Sequence, residues 1–435
     1  PGVVGLTSVF QQQLASLALA RRLKKAAPEV FIVLGGANCE GVMGREVVRS
    51  FPFVDAVVSG EADQVFPRMI DRILSRRTLT DLPGVVQAEP GADRAPAVSP
   101  TLGSSSPTPP TVTRDLDALP FPEYDDFFSQ FRASSATADK DAGVLFETSR
   151  GCWWGEKHHC TFCGLNGDGM VFRSKSAGRA LAEIEYLAER HSARSVMAVD
   201  NILDMAYFRD LIPELARRDL GIDLFYEVKS NLGKDQLRLL RAAGIEEIQP
   251  GIESFSDSTL KIMRKGVTGL QNVQFLKWCV EIGLMPYWNI IWGFPGESPA
   301  EYRKMTELVP LLTHLDPPQG AMPLRLDRFS PNFDHAVQMG LSNVRPSPAY
   351  GHLYPFPEDV TSRLAYFFTH SYQDGRDVGR YTEGLARAVG DWREVHSSSS
   401  LIYMDQDDRL LIWDMRPVAG KALSVLEGDA RSLYL

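Results

Sequence analysis

The stretch Ser149-Arg150-Gly151-Cys152-Trp153-Trp154-Gly155-Glu156-Lys157-His158-His159-Cys160-Thr161-Phe162-Cys163-Gly164 decides the reading of this chain. Its cysteines follow a C-x7-C-x2-C spacing, so Cys152, Cys160 and Cys163 fall within twelve residues. The other two cysteines, Cys39 and Cys279, are far away. An odd, sparse set in 435 residues is not a disulfide framework. The clustering fits a metal site in a reducing, cytoplasmic setting. Three thiolates can ligate three irons of a [4Fe-4S] cluster and leave the fourth iron open to a small molecule. A cluster used only for electron transfer usually takes a fourth cysteine. Neither Cys39, in the first domain, nor Cys279, on the core face of an expected helix, is placed to supply it. The competing reading is a zinc site of Cys160, Cys163 and His158 or His159. Its ligands would be crowded, whereas zinc modules usually pair two separated halves. Otherwise His158 and His159 read as polar loop residues, and Trp153 and Trp154 as packing.

Outward from this stretch the chain alternates strand and helix. Strands are expected at 144–148, 195–199, 223–228, 247–252, 287–292 and 323–329. Helices between them include 180–190, 207–217, 237–243 and 272–282. Six β-α units predict a (β/α)6 partial TIM barrel, whose active site lies at the carboxyl ends of its strands. The cysteines follow the first of these strands. Upstream, residues 1–78 read β-α-β-α-β-α, with strands at 3–9, 30–34 and 54–59. The helix at 13–25 is expected to bury Leu14, Leu17, Ala18 and Leu19, and another helix is expected at 65–74. This predicts a parallel sheet covered by helices. Glycines end two of its strands, where open α/β sheets bind ligands. Residues 102–111 read LGSSSPTPPT, a linker composition. Downstream the pattern weakens. A helix is expected at 360–368, and a hairpin from 401–404 and 410–413 turning at 405–408.

Hydrophobic residues make up 44 % of the chain and charged residues 23 %, as in soluble globular proteins. The formal net charge of −9 argues against a general nucleic-acid binder. No apolar run approaches the roughly 18–20 residues that span a bilayer, and no signal peptide is legible. The expectation is therefore no nucleic-acid or membrane partner. The start at Pro1, directly before an apolar strand, reads as a fragment's edge, and the chain's end at Leu435 reads as a second candidate cut.

The cysteine stretch, together with Cys163-Gly164-Leu165-Asn166-Gly167, resembles radical SAM enzymes. The gap of seven is longer than that superfamily's common C-x3-C-x2-C. It resembles a branch with an N-terminal cobalamin-binding domain that matures ribosomally made peptide natural products by C-methylation. Leu34-Gly35-Gly36 and Ser59-Gly60-Glu61 are similar to that domain's strand ends. Gly251-Ile252-Glu253-Ser254 is similar to the strand along the SAM adenosine, and Gly293-Phe294-Pro295-Gly296-Glu297 to the turn near the adenine. Arg328-Phe329-Ser330-Pro331 and Arg345-Pro346 resemble the branch's C-terminal region. The implied architecture is α/β. A truncated Rossmann-like cobalamin-binding domain (1–87) and a linker (88–140) precede the radical SAM barrel (141–335) and a small α+β region (336–435).

The resemblance also implies roles. Cys152, Cys160 and Cys163 would hold the cluster. Gly164, Asp200, Glu227, Lys229, Glu253, Ser254, Phe294 and Pro295 would contact SAM. Ser8, Gly35, Gly36, Gly60 and Glu61 would meet cobalamin. Asp200 stands where the superfamily's Gly-Gly-Glu stretch would hold the SAM amino group, a motif this chain lacks. The first strands of a complete cobalamin domain are absent before Pro1, so the chain as it stands is expected to bind cobalamin poorly or not at all.

Structural readings compete. Gly35, Gly36 and Gly60 serve tight turns. Glu253 caps the following helix, or Ser254 or Ser256 does. Pro295-Gly296 is a common turn. Glu227 and Lys229, two apart on one strand, form a surface ion pair.

The implied reaction begins with reductive cleavage of SAM by an electron from a partner such as flavodoxin or ferredoxin. The resulting 5′-deoxyadenosyl radical takes hydrogen from an unactivated carbon of a precursor peptide, and methylcobalamin supplies the methyl group. The peptide would dock after about residue 380, by adding a strand to an exposed sheet edge. Two alternatives stand beside this: radical rearrangement or cyclisation of a peptide residue, and a zinc-stabilised binding protein without enzymatic activity.

Overall fold

A computed structural model describes residues 2–87, 111–137, 140–167 and 169–435. Most of the expected linker composition, at 102–110, lies outside the described residues. The chain folds into two compact units that interleave in sequence. The first comprises Pro1–Leu119, Phe162–Arg173 and Arg325–Gln373, and the second Pro120–Thr161, Ser174–Leu324 and Asp374–Leu435. These differ from the expected boundaries. The C-terminal region 336–435 divides between the two units, and the expected linker contains the helix Asp125–Ala133.

The first unit is built on strands β1 (Val3–Thr7), β2 (Phe31–Gly35), β3 (Ala56–Val58) and β4 (Val85–Gln87), in the order β1-β2-β3-β4. The first three are parallel and β4 is antiparallel to β3. Alternation along β2 serves two cores. Ile32 and Leu34 face one cluster with Leu17, Ala20 and Val47, and Val33 faces another with Val65, Met69 and Ile73. Burial on both faces is why these strands read as continuous apolar runs. The helix Gln12–Ala26 buries Gln13, Leu17 and Ala20. Leu14, Ala18 and Leu19, expected inside, are exposed, because Gln13 turns inward to a polar partner described below. Tyr354 and Leu364 join the first cluster, and Arg363 pairs with buried Glu46 at 2.6 Å. These contacts explain why 325–373 belongs with the N-terminal residues. The expected helix 360–368 is a helix Glu358–Leu364 followed by a strand Phe367–Tyr372.

The second unit carries the barrel. Strands β5 (Val144–Phe146), β6 (Ser195–Ala198), β7 (Asp223–Val228), β8 (Ile245–Pro250) and β9 (Met285–Pro286) form one parallel sheet in chain order. Strands β10 (Asn289–Trp292) and β11 (Gly320–Pro323) pair in parallel, and a parallel bridge links Glu253 to Ile290. The strand expected at 287–292 begins at Asn289, and the separate strand Met285–Pro286 upstream of it pairs with β8. The strand expected at 323–329 separates into β11 and Leu326–Asp327, which fall in different units. Intervening helices such as Ala177–His191, Lys234–Ala242 and Gly269–Ile282 shield a core containing Phe146, Tyr226, Ile248 and Trp288. The architecture is α/β with a parallel partial barrel. Among the described residues, no helix is long and apolar enough to cross a membrane.

Candidate active site

The cysteine stretch starts beyond the carboxyl end of β5. Cys152 is the N-cap of the short helix Trp153–His158, and its Sγ accepts a hydrogen bond from the Gly155 amide at 3.3 Å. Helix amides aimed at sulfur favour a thiolate, while burial raises the thiol's pKa and nearby Cys160 raises it further. Both tryptophans are anchored. The Trp153 indole donates to the Leu203 carbonyl and the Trp154 indole to the Arg264 carbonyl, each at 3.0 Å. Gly266, at φ +64°, lets this packing close, since a Cβ there would lie 2.2 Å from the Trp154 ring. His158 is exposed and its ring lies 4.2 Å from that of Trp154, while the His159 amide closes the helix on the Gly155 carbonyl. Among the described residues, neither the ligands of the zinc reading, Cys160 and Cys163 with His158 or His159, nor the three cysteines form a group whose ligand atoms all lie within 4.8 Å of one another. The one such group of the described residues is Glu123, Asp125 and His191, where Arg190 already pairs with both acids. Cys39 and Cys279 are buried in separate cores, and burial raises both thiols.

Four charged side chains gather at the ends of β7 and β8. Lys229 is buried. Its ammonium donates to the Lys265 carbonyl and lies 3.8 Å from the centroid of the Trp154 ring. Burial and the Lys265 charge push it down to about 8. Lys265 is also buried, with its Nζ 3.5 Å from Glu253 Oε1. Sequence reasoning missed it. It lies in a loop, and only its place twelve residues after Glu253 hinted at a partner. Glu227 is pushed up to about 7, chiefly by burial, then by the Glu253 and Asp200 charges, with Lys265 opposing. Burial raises Glu253, against Lys265, and its backbone is held at φ +60°. A non-glycine residue held there stores strain of the kind common at functional sites. Glu227 and Lys229 do not form a surface ion pair, because Lys229 is buried and its ammonium turns to the Lys265 carbonyl and the Trp154 ring.

Asp200 is buried and engaged in bracing. Its carboxylate accepts from the Thr148 amide at 2.7 Å, from the Thr148 hydroxyl, and from the Ser149 hydroxyl at 2.9 Å. Burial pushes it up to about 6 despite these bonds. It ties the end of β6 to that of β5, and holding a ligand's amino group would compete with all three bonds. Ser254 is buried, and its hydroxyl accepts from the Ser256 amide at 3.1 Å. The helix cap is Ser256, not Ser254 or Glu253.

The turn after β10 is held by Glu297, which sequence reasoning grouped with the motif without a role. Its carboxylate accepts from the Gly293 and Phe294 amides at 2.8 Å each, from Tyr302 at 2.6 Å and from Tyr381 at 2.5 Å. Arg376 donates to the Phe294 carbonyl at 3.3 Å. Phe294 is fully buried and Pro295 part-exposed.

In the first unit, Gly164 packs so tightly that an added Cβ would lie 2.1 Å from the Arg328 carbonyl oxygen and 3.1 Å from the Tyr366 hydroxyl. Cys163, beside it, helps raise the Tyr366 phenol, though burial does most. Ser8 is buried, donates to Gln13 and accepts from Asn38 at 2.9 Å. Gly36 adopts φ +92°, and a Cβ there would meet the Ser8 carbonyl oxygen at 2.7 Å, whereas a Cβ on Gly35 would meet no atom of the described residues within 4 Å. Gly60 adopts φ +88° and bridges to Thr111. Glu61 pairs with Arg173 and accepts from the Thr113 amide at 2.7 Å. The side chains of Ser8 and Glu61 are thus engaged within the unit.

Residues 146–309 match the family description "Radical SAM superfamily". The barrel is a radical SAM domain. The chain is 26 % identical over 306 residues to a methyltransferase of Pyrococcus horikoshii described as uncharacterized, covering 69 % of this chain and 62 % of that protein. It spans about half to three-fifths of the length of the curated relatives it matches. Among solved structures, the cobalamin-dependent S-adenosylmethionine radical enzyme OxsB superposes with a TM-score of 0.66 at 14 % identity, over 92 % of this chain and 59 % of that one. The radical S-adenosylmethionine methyltransferase TsrM of Kitasatospora setae superposes with a TM-score of 0.60 at 18 % identity, over 90 % and 78 %. At these identities the likeness is one of fold. It spans most of this chain, beyond the barrel alone.

Proposed function

We propose that this chain is a radical SAM enzyme that cleaves S-adenosylmethionine reductively and C-methylates an unactivated carbon of a ribosomally made precursor peptide, with cobalamin as methyl carrier. The observation that carries the first part is the convergence of two buried lysines and two carboxylates at the ends of β7 and β8, with Lys265 within electrostatic reach of Cys152. Their chemistry fits an amino-acid-bearing nucleoside. Lys229 and Lys265 suit its carboxylate, and Glu227 and Glu253 suit its amine and ribose hydroxyls. The turn held by Glu297 presents backbone amides and carbonyls for a base. Cys152, Cys160 and Cys163 supply thiolates for three irons.

When bound, the cluster and SAM together supply a 5′-deoxyadenosyl radical able to take hydrogen from an unactivated carbon. The protein's part is to bind, orient and exclude. Trp153 and Trp154 fix the cysteine-bearing helix, and Asp200 fixes the strand end from which it springs. The Phe294 turn excludes water behind the base. A one-electron reductant of the flavodoxin or ferredoxin class serves as partner. Cobalamin rests on weaker support, namely the fold shared with OxsB and TsrM and the flank of Gly35, unobstructed by the described residues. The peptide substrate rests on the cysteine-stretch resemblance. Rearrangement without methyl transfer is the second reading, since the same residues would serve it.

The test is iron and sulfide analysis with electron paramagnetic resonance on anaerobically reconstituted protein. About four irons per chain and a spectrum that shifts with SAM are expected. Zinc in their place, or indifference to SAM, would overturn the reading. Product mass then separates methylation from rearrangement.

A further inference from the structure

We propose that the three-stranded sheet near the C-terminus docks an amphipathic helix of a partner polypeptide, apolar along one side and basic at one end. This names a surface for the polypeptide substrate proposed above and so rests on that reading, but it is tested by binding alone.

The expected hairpin is the first part of this sheet. Leu401–Gln406 pairs antiparallel with Arg409–Asp414, which pairs with Leu423–Glu427. The register sorts its side chains into rows. Ile402, Trp413 and Leu423 form one row, and Met404, Leu411 and Val425 the next, all on one face. Four of these six, Ile402, Met404, Leu423 and Val425, are 47–59 % exposed. The opposite face is covered in part. Leu410 is fully buried there and Asp405 pairs with Arg431 at 2.7 Å, while Tyr403, against Tyr434 of the helix Gly428–Tyr434, stays 51 % exposed. Among the described residues, the apolar face keeps four exposed apolar side chains where such sheets take a second layer.

The sheet is also a fixed platform within its unit. Arg416 donates to the Leu311 carbonyl at 2.7 Å, and the Met415 amide to the Ser400 carbonyl at 2.8 Å.

Size and charge select the occupant. Three strands span about 14 Å, the breadth of a single helix of roughly 10–12 Å. A stable dimer would need about 800 Å² per partner, far more than two short rows supply. The third row is polar, with Gln406, Arg409 and Glu427. It leads to a hairpin tip and flank bearing Asp407, Asp408 and Asp429, all exposed. Arg431 is held by Asp405, so Arg409 stands against four acids. This end therefore favours a basic helix terminus and disfavours both an anionic membrane and a second copy of a chain with net charge −9.

The experiment uses the reconstituted full chain and fluorescence anisotropy with a labelled Leu/Lys amphipathic peptide of about 18 residues, long enough to be helical. Its Leu/Glu counterpart is the control. The basic peptide is expected to bind at least about tenfold tighter than the acidic one, equal to roughly 1.4 kcal/mol. Met404→Glu with Val425→Glu should weaken it at least about tenfold, and Asp407→Lys with Asp408→Lys should erase the basic preference. Iron content and circular dichroism report folding. Ile402→Ser with Leu423→Ser gives a milder second variant of the same face. Equal binding by all variants, or by both peptides, overturns the proposal. So does a concentration-dependent dimer abolished by Met404→Glu and Val425→Glu, or face-dependent binding to phosphatidylglycerol vesicles in preference to the peptide. A protein that shifts its cluster spectrum with SAM yet binds no peptide loses only the docking surface. One that binds peptide but not SAM loses the radical reading.

Discussion

Two sets of parallel strands end in this molecule in opposite ways. At the ends of β7 and β8 the side chains are charged and buried or part-buried. Lys265 stands 3.5 Å from Glu253, Lys229 meets a carbonyl and an indole face, and burial pushes Glu227 up to about 7. At the ends of β1 to β3 the polar side chains are matched to one another, Ser8 with Gln13 and Asn38, and Glu61 with Arg173 and Thr113. A buried charge is costly unless it is paired. On the function proposed above, the barrel ends serve a small charged ligand, and the sheet ends a large one recognised by shape and backbone. The difference predicts which substitutions act on binding and which only on stability.

The largest effect is expected at the cysteines. Replacing Cys152, Cys160 or Cys163 by Ala should take iron from about four per chain to near zero and abolish 5′-deoxyadenosine formation. Replacing Cys39 or Cys279 by Ser should leave iron unchanged. Iron retained after loss of one of the three, and lost with Cys39 or Cys279, would move the site elsewhere.

Next come the lysines. Lys265→Met should weaken SAM binding about 10–100-fold, the effect of losing a charge-assisted hydrogen bond of ~1.5–3 kcal/mol. Binding of 5′-methylthioadenosine, which lacks the amino acid moiety, should not change, as equilibrium dialysis would report. Equal losses for both ligands would make Lys265 a structural brace and dissolve the contrast between the two sets of strand ends.

How far this was legible from the chain follows the same division. Strands packed on both faces announced themselves, and so did the three clustered cysteines, because local spacing encodes both. Lys265 did not, because its role depends on a loop returning to Glu253 twelve residues earlier. Nor did Gln13. A polar residue on an apolar-looking helix face turned inward to Ser8, and Leu14 and Leu19 were left outside. Asp200 was read as a ligand contact, yet its three bonds come from Thr148 and Ser149, some fifty residues away. Partners distant in sequence carry no periodic signal, so bracing and binding carboxylates look alike before folding.

Adjacent glycines sharpen the sheet side of the comparison. Gly36→Ala forces a side chain onto φ +92° and against the Ser8 carbonyl. It should cost about 1–3 kcal/mol of stability, seen as a lowered melting temperature. At Gly35 an added Cβ meets no atom of the described residues within 4 Å, so Gly35→Leu should leave the melting temperature nearly unchanged. If that flank receives cobalamin, Gly35→Leu should still weaken cobalamin binding in spectral titration. A variant that binds cobalamin as the parent does would remove this strand end from the proposal.

The smallest effect concerns pH. Glu227 is raised to about 7 by burial, with Glu253 and Asp200 adding to the shift and Lys265 opposing it. In the unfolded chain a glutamate titrates near 4.3. Between those values the folded state binds more protons than the unfolded one, so stability falls as pH rises from about 4 to about 7 and is flat above. Asp200, at about 6, contributes in the same direction up to its own value. Glu227→Gln keeps the shape and removes the titration. The variant should gain stability over the parent at pH 8, on the order of 1 kcal/mol, and lose that advantage near pH 5. Melting temperatures of cluster-free protein at the two pH values would report it. A gain that is the same at both would mean that Glu227 is already matched in the folded protein. The barrel ends would then be as self-satisfied as those of the sheet.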